Sequence, residues 1–363
     1  MKQTPPPIAR VCFFGIYDPS YAHNRMLAEG FASLGYEVSE CCVDAKQYPG
    51  IQKYWQLARA ARRLRGQYVF VLALFPGHTV VWLARLLFPR TRVVFDAMLS
   101  LYDSNVHDRA RYRRWSIRGM RDYLLDWSSM HLADTMMLDT NAHIEYVARV
   151  FAVSRAKCLR VLVGSDTNTF FPRDGAIPAV PFVVHFHGTY VPLQGIPCII
   201  AAARLLRGEH ILFRIIGSGQ HSAHIKKDAR DLVESGVVVF VDRVSLAELA
   251  DSMAHAHVCL GIFGASDKAQ RVIPNKVYEA LAMGKPIITA DTPGARELLD
   301  EHTAVLIPAN NPQELAEAIR AVQADPECRV ALGAAARALF VSKLLPEHIV
   351  GDLLQALGVG ETS

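Results

Sequence analysis

With 363 residues, half of them hydrophobic and a fifth charged, the chain is long enough for two domains with separate cores and too apolar for disorder. Seven cysteines without a CxxC pair, two of them vicinal at Cys41 and Cys42, do not form the pattern of a disulfide scaffold or a zinc framework. No apolar run reaches bilayer-spanning length and the opening MKQTPPPIAR lacks the apolar core of a signal peptide, so a cytoplasmic protein is expected.

Taken in chain order, the runs VCFFGIYD, VSECCV, YVFVLALF, RVVFDAML, MMLDT and LRVLVG read as strands. Amphipathic stretches such as NRMLAEGFASLG and KYWQLARAARRLRG lie between them. FFPRDGAIPAVP, with its prolines and glycine, reads as a linker. The rhythm then repeats with PFVVHFHG, ILFRIIGSG, GVVVFVD, HVCLGIFG, KPIITAD and TAVLIPA, and the tail from NPQELAEAIR onward is helical by pattern. Near-continuous apolar runs rich in β-branched residues suit strands buried on both faces of a parallel sheet. Alternation with helices implies right-handed crossovers, hence an α/β protein of two doubly wound domains. The expected division is 1–175 and 176–363, with the last helix a candidate to return to the first domain. Through Gly175 there are 23 Lys and Arg against 15 Asp and Glu, a surplus of eight, which leaves the remainder net acidic within a chain of net charge +4.

Doubly wound sheets bind ligands at the carboxyl ends of their strands, which directs attention to the loops there. Gly15, Gly188, Gly195, Gly217 and Gly219 fall in such loops, where glycine lets backbone approach a ligand or simply makes a tight turn. The stretch RVIPNKVYEALAMGKP is more specific. Pro274 suits the first helical position, and the amides around Ile273 and Asn275 would be free donors at the positive end of the helix dipole. Arg271 and Lys276 add full charges, which together describe a diphosphate site. Glu279, one turn in, can accept two ribose hydroxyl protons. The alternative is an exposed ion pair between Lys276 and Glu279.

In the first half, FDAMLSLYDSNVHDR follows a strand and carries Asp96, Asp103, His107 and Asp108. Asp96 and His107 are the candidates for orienting or deprotonating an acceptor hydroxyl, with helix capping the alternative for His107. His23, His185 and His187 also lie near strand ends, yet no spacing defines a ligand set, so neither a metal nor another cofactor is expected. Arginine interleaves with Trp, Leu and Tyr in KYWQLARAARRLRG, WLARLLFPRTR and DRARYRRWSIRGMRDYLLDW. That pattern fits either a helix face on an anionic membrane surface or a solvated basic face. No nucleic-acid-binding motif accompanies the charge.

The stretch EALAMGKPIITADTPGARE resembles the nucleotide-sugar signature of GT-B glycosyltransferases, in particular the retaining glycosyltransferase family 4. GSDTNTFFP, FHGTYVPLQGIPCIIAAARLL and FRIIGSG are similar to neighbouring segments of that family. The resemblance implies a GT-B fold, two Rossmann-like domains facing across a cleft, with a nucleotide-diphosphate sugar as donor and a glycan or lipid-linked acceptor. It implies that Glu279 holds the ribose, that amides around Ile273–Asn275 meet the diphosphate, and that Gly15 approaches it from the other domain. Two departures stand out. Arg271 occupies the position where many members carry a first glutamate, and Gln194 lies near an expected lysine. Arg271, Lys276 and Lys268 are the candidates to supply the displaced positive charge, with Lys268, farther away, also read as a solvated surface lysine. Alternatives are a GT-B epimerase or phosphorylase, or a nucleotide-sugar-binding protein without transfer activity. An oxidoreductase is disfavoured because the first strand–helix loop lacks GxGxxG.

Overall fold

The computed structural model describes residues 9–64, 67–173, 175 and 180–359. The chain divides into two compact units. The first comprises residues 1–106, 110–163 and 345–363, and the second residues 107–109 and 164–344. The second unit therefore begins at Gly164, ahead of the linker expected at 170–181, of which residues 174 and 176–179 lie outside the described residues. Phe170 is already fully buried and Arg173 pairs with Asp251 at 3.3 Å, so residues 170–173 belong to the second unit rather than to a tether.

The first unit holds a six-stranded sheet of β1 (Arg10–Gly15), β2 (Glu37–Cys42), β3 (Phe70–Ala73), β4 (Arg92–Asp96), β5 (Thr135–Leu138) and β6 (Cys158–Arg160), in the order β2-β1-β3-β4-β5-β6. Every pairing is parallel. β3 and β5 are buried along their whole length, as the unbroken apolar runs require. Helix Ala22–Ser33 packs Phe31 edge-on to Phe13 of β1, ring centroids 5.8 Å apart. Its other side takes helix Pro346–Ala356, which comes from the far end of the chain. A Cβ on Gly30 would run into the Pro346 carbonyl, so the two helices meet backbone to backbone there.

The second unit repeats the plan with β7 (Phe182–His187), β8 (Ile211–Ile216), β9 (Val238–Val241), β10 (Val258–Leu260), β11 (Ile287–Ala290) and β12 (Val305–Ile307). Their order is β12-β11-β10-β7-β8-β9, again all parallel. β7 is flanked by β8 and by β10, so chain direction from strand to strand reverses between β7 and β10. That is the switch point at which such sheets bind ligands. All twelve strands expected from the sequence are present among the described residues. The helical tail is divided by its prolines. Asn311 and Asp325 cap helices Pro312–Ala324 and Pro326–Lys343 by accepting the Glu314 and Cys328 amides at 3.2 and 2.9 Å.

Candidate functional site

At the carboxyl ends of β7, β8 and β10 three loops are laced together by main-chain bonds. Gly188 N–H donates to Ile216 O at 3.0 Å and Tyr190 N–H to Ser218 O at 3.3 Å, joining the loops after β7 and β8. Phe263 N–H and Gly264 N–H donate to Gln194 O and Leu193 O, each at 3.2 Å, joining the loops after β7 and β10. Backbones this close leave no room for side chains. Gly217 has φ +126°, and a Cβ on it would overlap the Gly188 carbonyl. One on Gly188 would lie 3.0 Å from Lys276 Nζ and 3.1 Å from Gln194 Oε1.

The helix that delivers the charged groups runs Asn275–Ala282. It starts one residue later than expected. Pro274, with ψ 150°, is the extended cap residue rather than the first helical one, and its side chain satisfies no amide. Ile273 is buried and Asn275 exposed at this helix start. Lys276 and Glu279 do not form the exposed pair that the sequence left open. Lys276 is 5% exposed, its Nζ donates to Gln194 Oε1, and it sits over the Phe186 ring, 3.5 Å from the centroid. Burial holds its ammonium well below the usual lysine range, which the Glu279 charge offsets in part. Gln194 thus marks where Lys276 delivers its ammonium, to the loop that lacks a lysine of its own.

Glu279 is held from β7. Its Oε2 lies 2.6 Å from His187 Nε2, and His187 Nδ1 lies 3.0 Å from His185 Nε2. His185 is 1% exposed. Burial first, then the neighbouring His187, Arg214, Lys276 and Lys285, hold its proton affinity well below the usual histidine range. The line continues from His185 Nδ1 to Ser252 Oγ at 3.4 Å and from there to Arg214 Nη1 at 3.3 Å. The alternation HFH at 185–187 carried a signal for this pair, because residues two apart on a strand share a face.

Arg271 is half-buried, in a turn whose backbone is pressed against Gly294, the glycine of the turn after β11. Lys268, expected to be solvated, is 7% exposed. The described structure thus gathers Gly188, Gly217, Lys276 and Glu279 into one site with His187 and Gln194.

Gly15 belongs to the first unit, at the end of β1. Asp96 lies there too, at the end of β4, but not as a group open to an acceptor. It is 2% exposed, Phe75 N–H donates to its Oδ2 at 3.4 Å, and His23 Nε2 stands 3.2 Å from the same oxygen. Burial acts to keep His23 neutral, but Asp96 and the Val163 carbonyl outweigh it and raise its proton affinity. Asp96 is therefore corrected from an acceptor-facing base to the buried partner of His23, because the strand end it occupies is covered. His107 is exposed, in a π-helical turn at Asp103–Asp108. Residues 107–109 group with the second unit, where Ser266 Oγ donates to Asp108 Oδ1 at 3.1 Å and Gln220 Nε2 to Arg109 O at 3.0 Å.

Residues 181–325 match the family described as glycosyl transferases group 1. D-inositol 3-phosphate glycosyltransferase of Kineococcus radiotolerans is 30% identical over a stretch covering 56% of this chain and 52% of that protein. The chain spans about half the length of the curated relatives it matches. Among solved structures, sucrose-phosphate synthase from Thermosynechococcus elongatus superposes with a TM-score of 0.73 at 17% identity, over 96% of this chain and 99% of that one. HepE from Anabaena, crystallised with UDP and glucose, gives 0.71 at 15% identity, over the same 96% and 99%. At these identities the likeness establishes the fold.

Proposed function

We propose that this chain, which has the GT-B fold and matches the group 1 glycosyl transferases over residues 181–325, is a retaining family 4 glycosyltransferase. It moves a sugar from a nucleotide-diphosphate donor to an acceptor hydroxyl in glycan or glycolipid synthesis. The observation that carries this reading is the meeting of Lys276, Glu279 and two loops without side chains, at Gly188 and Gly217, beside the sheet's switch point. Glu279 accepts the ribose hydroxyls. Lys276, Arg271 and the amides around Ile273–Asn275 meet the diphosphate, and their charge stabilises it as it leaves. His107 orients the acceptor hydroxyl, and Gly15 lets backbone approach a ligand at the end of β1. The complex of HepE with UDP-glucose supports a nucleotide-sugar donor, and the name of the Kineococcus relative supports glycosyl transfer.

The acceptor is proposed to be lipid-linked and presented at an anionic membrane surface. Among the described residues no helix is long and apolar enough to cross a membrane. The first unit does carry a cavity of about 730 Å³ lined by Tyr48, Ile51, Tyr54, Trp55, Trp82 and Leu83, with Ile51 81% and Trp55 62% exposed. Helix Gln52–Arg63, which bears Trp55, ends in Arg62 and Arg63, a pairing of apolar face and cations that suits anionic lipid. Arg271, standing where a family glutamate is common, favours a second reading, a nucleotide-sugar binder without transfer.

Titration calorimetry against a panel of nucleotide sugars tests the site, and mass spectrometry of products formed on a lipid-linked acceptor extract separates transfer from binding. The proposal fails if no nucleotide sugar binds, or if Glu279→Gln leaves nucleotide affinity unchanged.

A further inference from the structure

A glutamate side chain has three rotatable bonds, so a carboxylate meant for two hydroxyls gains by being held before the ligand arrives. In this protein the holding group comes from another element. Glu279 Oε2 takes His187 Nε2 at 2.6 Å, while Oε1 accepts no hydrogen bond among the described residues. A carboxylate only accepts, so Nε2 of His187 carries a proton. With that as the ring's one proton, His187 accepts at Nδ1 from His185 Nε2–H at 3.0 Å. That leaves His185 Nδ1 to accept from the Ser252 hydroxyl at 3.4 Å, and Ser252 Oγ to accept from the donor-only Arg214 at 3.3 Å. In this arrangement no lone pair faces a lone pair along the line, and each ring is fixed in one tautomer. Buried imidazoles are an expensive filling for a β-strand unless they are hydrogen-bonded at both ends. Every atom of this line is so bonded, and it terminates on Glu279.

We infer that His187 is a positioning residue of the nucleotide site. It locks the Glu279 carboxylate by one oxygen and leaves the remaining lone pairs for the ribose, so that ribose recognition depends on the line from Arg214 through Ser252 and His185 to His187. The inference rests on Glu279 reading the ribose. His187 itself touches neither sugar nor phosphate in this assignment.

The test is the ratio of affinities for a ribonucleoside diphosphate and its 2′-deoxy counterpart, with UDP and GDP as probes, measured by titration calorimetry on the full chain. Wild type should favour the ribose form by about tenfold or more, the worth of a hydrogen bond to a charged acceptor. His187→Asn, too short to reach Glu279, should bring the ratio close to one, as should Glu279→Gln. His187→Gln, whose amide reaches the Nε2 position, should restore most of it. Adding His187→Asn to Glu279→Gln should change the ratio no further, whereas a residue serving only the fold would weaken both nucleotides alike. If the asparagine variant does not fold, His187→Phe, which keeps the ring volume without the donor, decides by the same ratio. A wild-type ratio of one overturns the ribose role of Glu279 and the inference with it. A tenfold ratio that survives His187→Asn or His187→Phe overturns the role of His187 alone.

Discussion

Lys276→Met separates the two consequences of burying an amine, which should have opposite signs. In the free protein the ammonium is desolvated over Phe186, with Gln194 Oε1 and the partial attraction of Glu279 in place of water. Methionine keeps the unbranched stem on the ring and removes that penalty, so the melting temperature should rise. A diphosphate bound at Nζ, as proposed, would supply the missing counter-charge. Losing that contact should weaken nucleotide binding by about 1.5–3 kcal/mol, roughly ten- to one-hundred-fold in Kd. The lysine also leaves a protonic signature. Its proton affinity is low in the free protein and must rise when an anion binds, so binding takes up a proton at any pH between the free and bound values. Calorimetry at fixed pH in buffers of different ionisation enthalpy reads that number directly. Below the ordinary lysine value of about 10.4, near which the bound group titrates, it should pass through a maximum of no more than one proton, and it should fall to near zero in Lys276→Met. A wild type that takes up no proton anywhere in that range, together with unchanged affinity in the variant, would refute the placing of Nζ on the diphosphate.

Gly217→Ala drives a methyl into the Gly188 carbonyl at φ +126° and should destabilise by about 1–3 kcal/mol, read as a lower denaturant midpoint at unchanged slope. His185 stays neutral in the fold while the unfolded chain takes up a proton near pH 6.5. Stability should therefore fall as the pH drops below that value, by up to about 1.4 kcal/mol per pH unit, and His185→Gln should flatten this acid limb. Arg271→Ala should lower kcat/KM by about 10²-fold, comparable to losing one transition-state donor, and Arg271→Glu should do worse. An Arg271→Glu enzyme as active as wild type would move Arg271 into the donor-sugar pocket. Replacing Trp55 and Trp82 with alanine should weaken binding to anionic vesicles and change the unfolding midpoint little, since Trp55 is mostly and Trp82 about half exposed.

The sheets were legible because strands buried on both faces write themselves as unbroken apolar runs, and β3, β5 and β11 are of that kind. The helix carrying Lys276 and Glu279 was legible because a proline, two cations and a carboxylate cluster at its start. Their partners were not. Gln194 and His187 are 82 and 92 residues away, and only the fold brings them within reach. Burial was equally hidden. Asp96 reads in sequence as a base open to an acceptor and Lys268 as a solvated lysine, yet the first is covered at the end of β4 and the second is 7% exposed. A pattern in sequence reports which face of an element is apolar, but not what the neighbouring loop lays over its polar end.

The return of helix Pro346–Ala356 to helix Ala22–Ser33 has a consequence for the order in which the protein is made. On the ribosome the first sheet emerges early, but the Gly30 face of its helix stays uncovered until the last segment has been translated. The second sheet and its helices are encoded without interruption between Gly164 and Leu344, so they can close as soon as they clear the exit tunnel. The unit begun first is thus completed after the second, and a stop codon shortly before Leu345 would spare the second unit while leaving the first with an open seam.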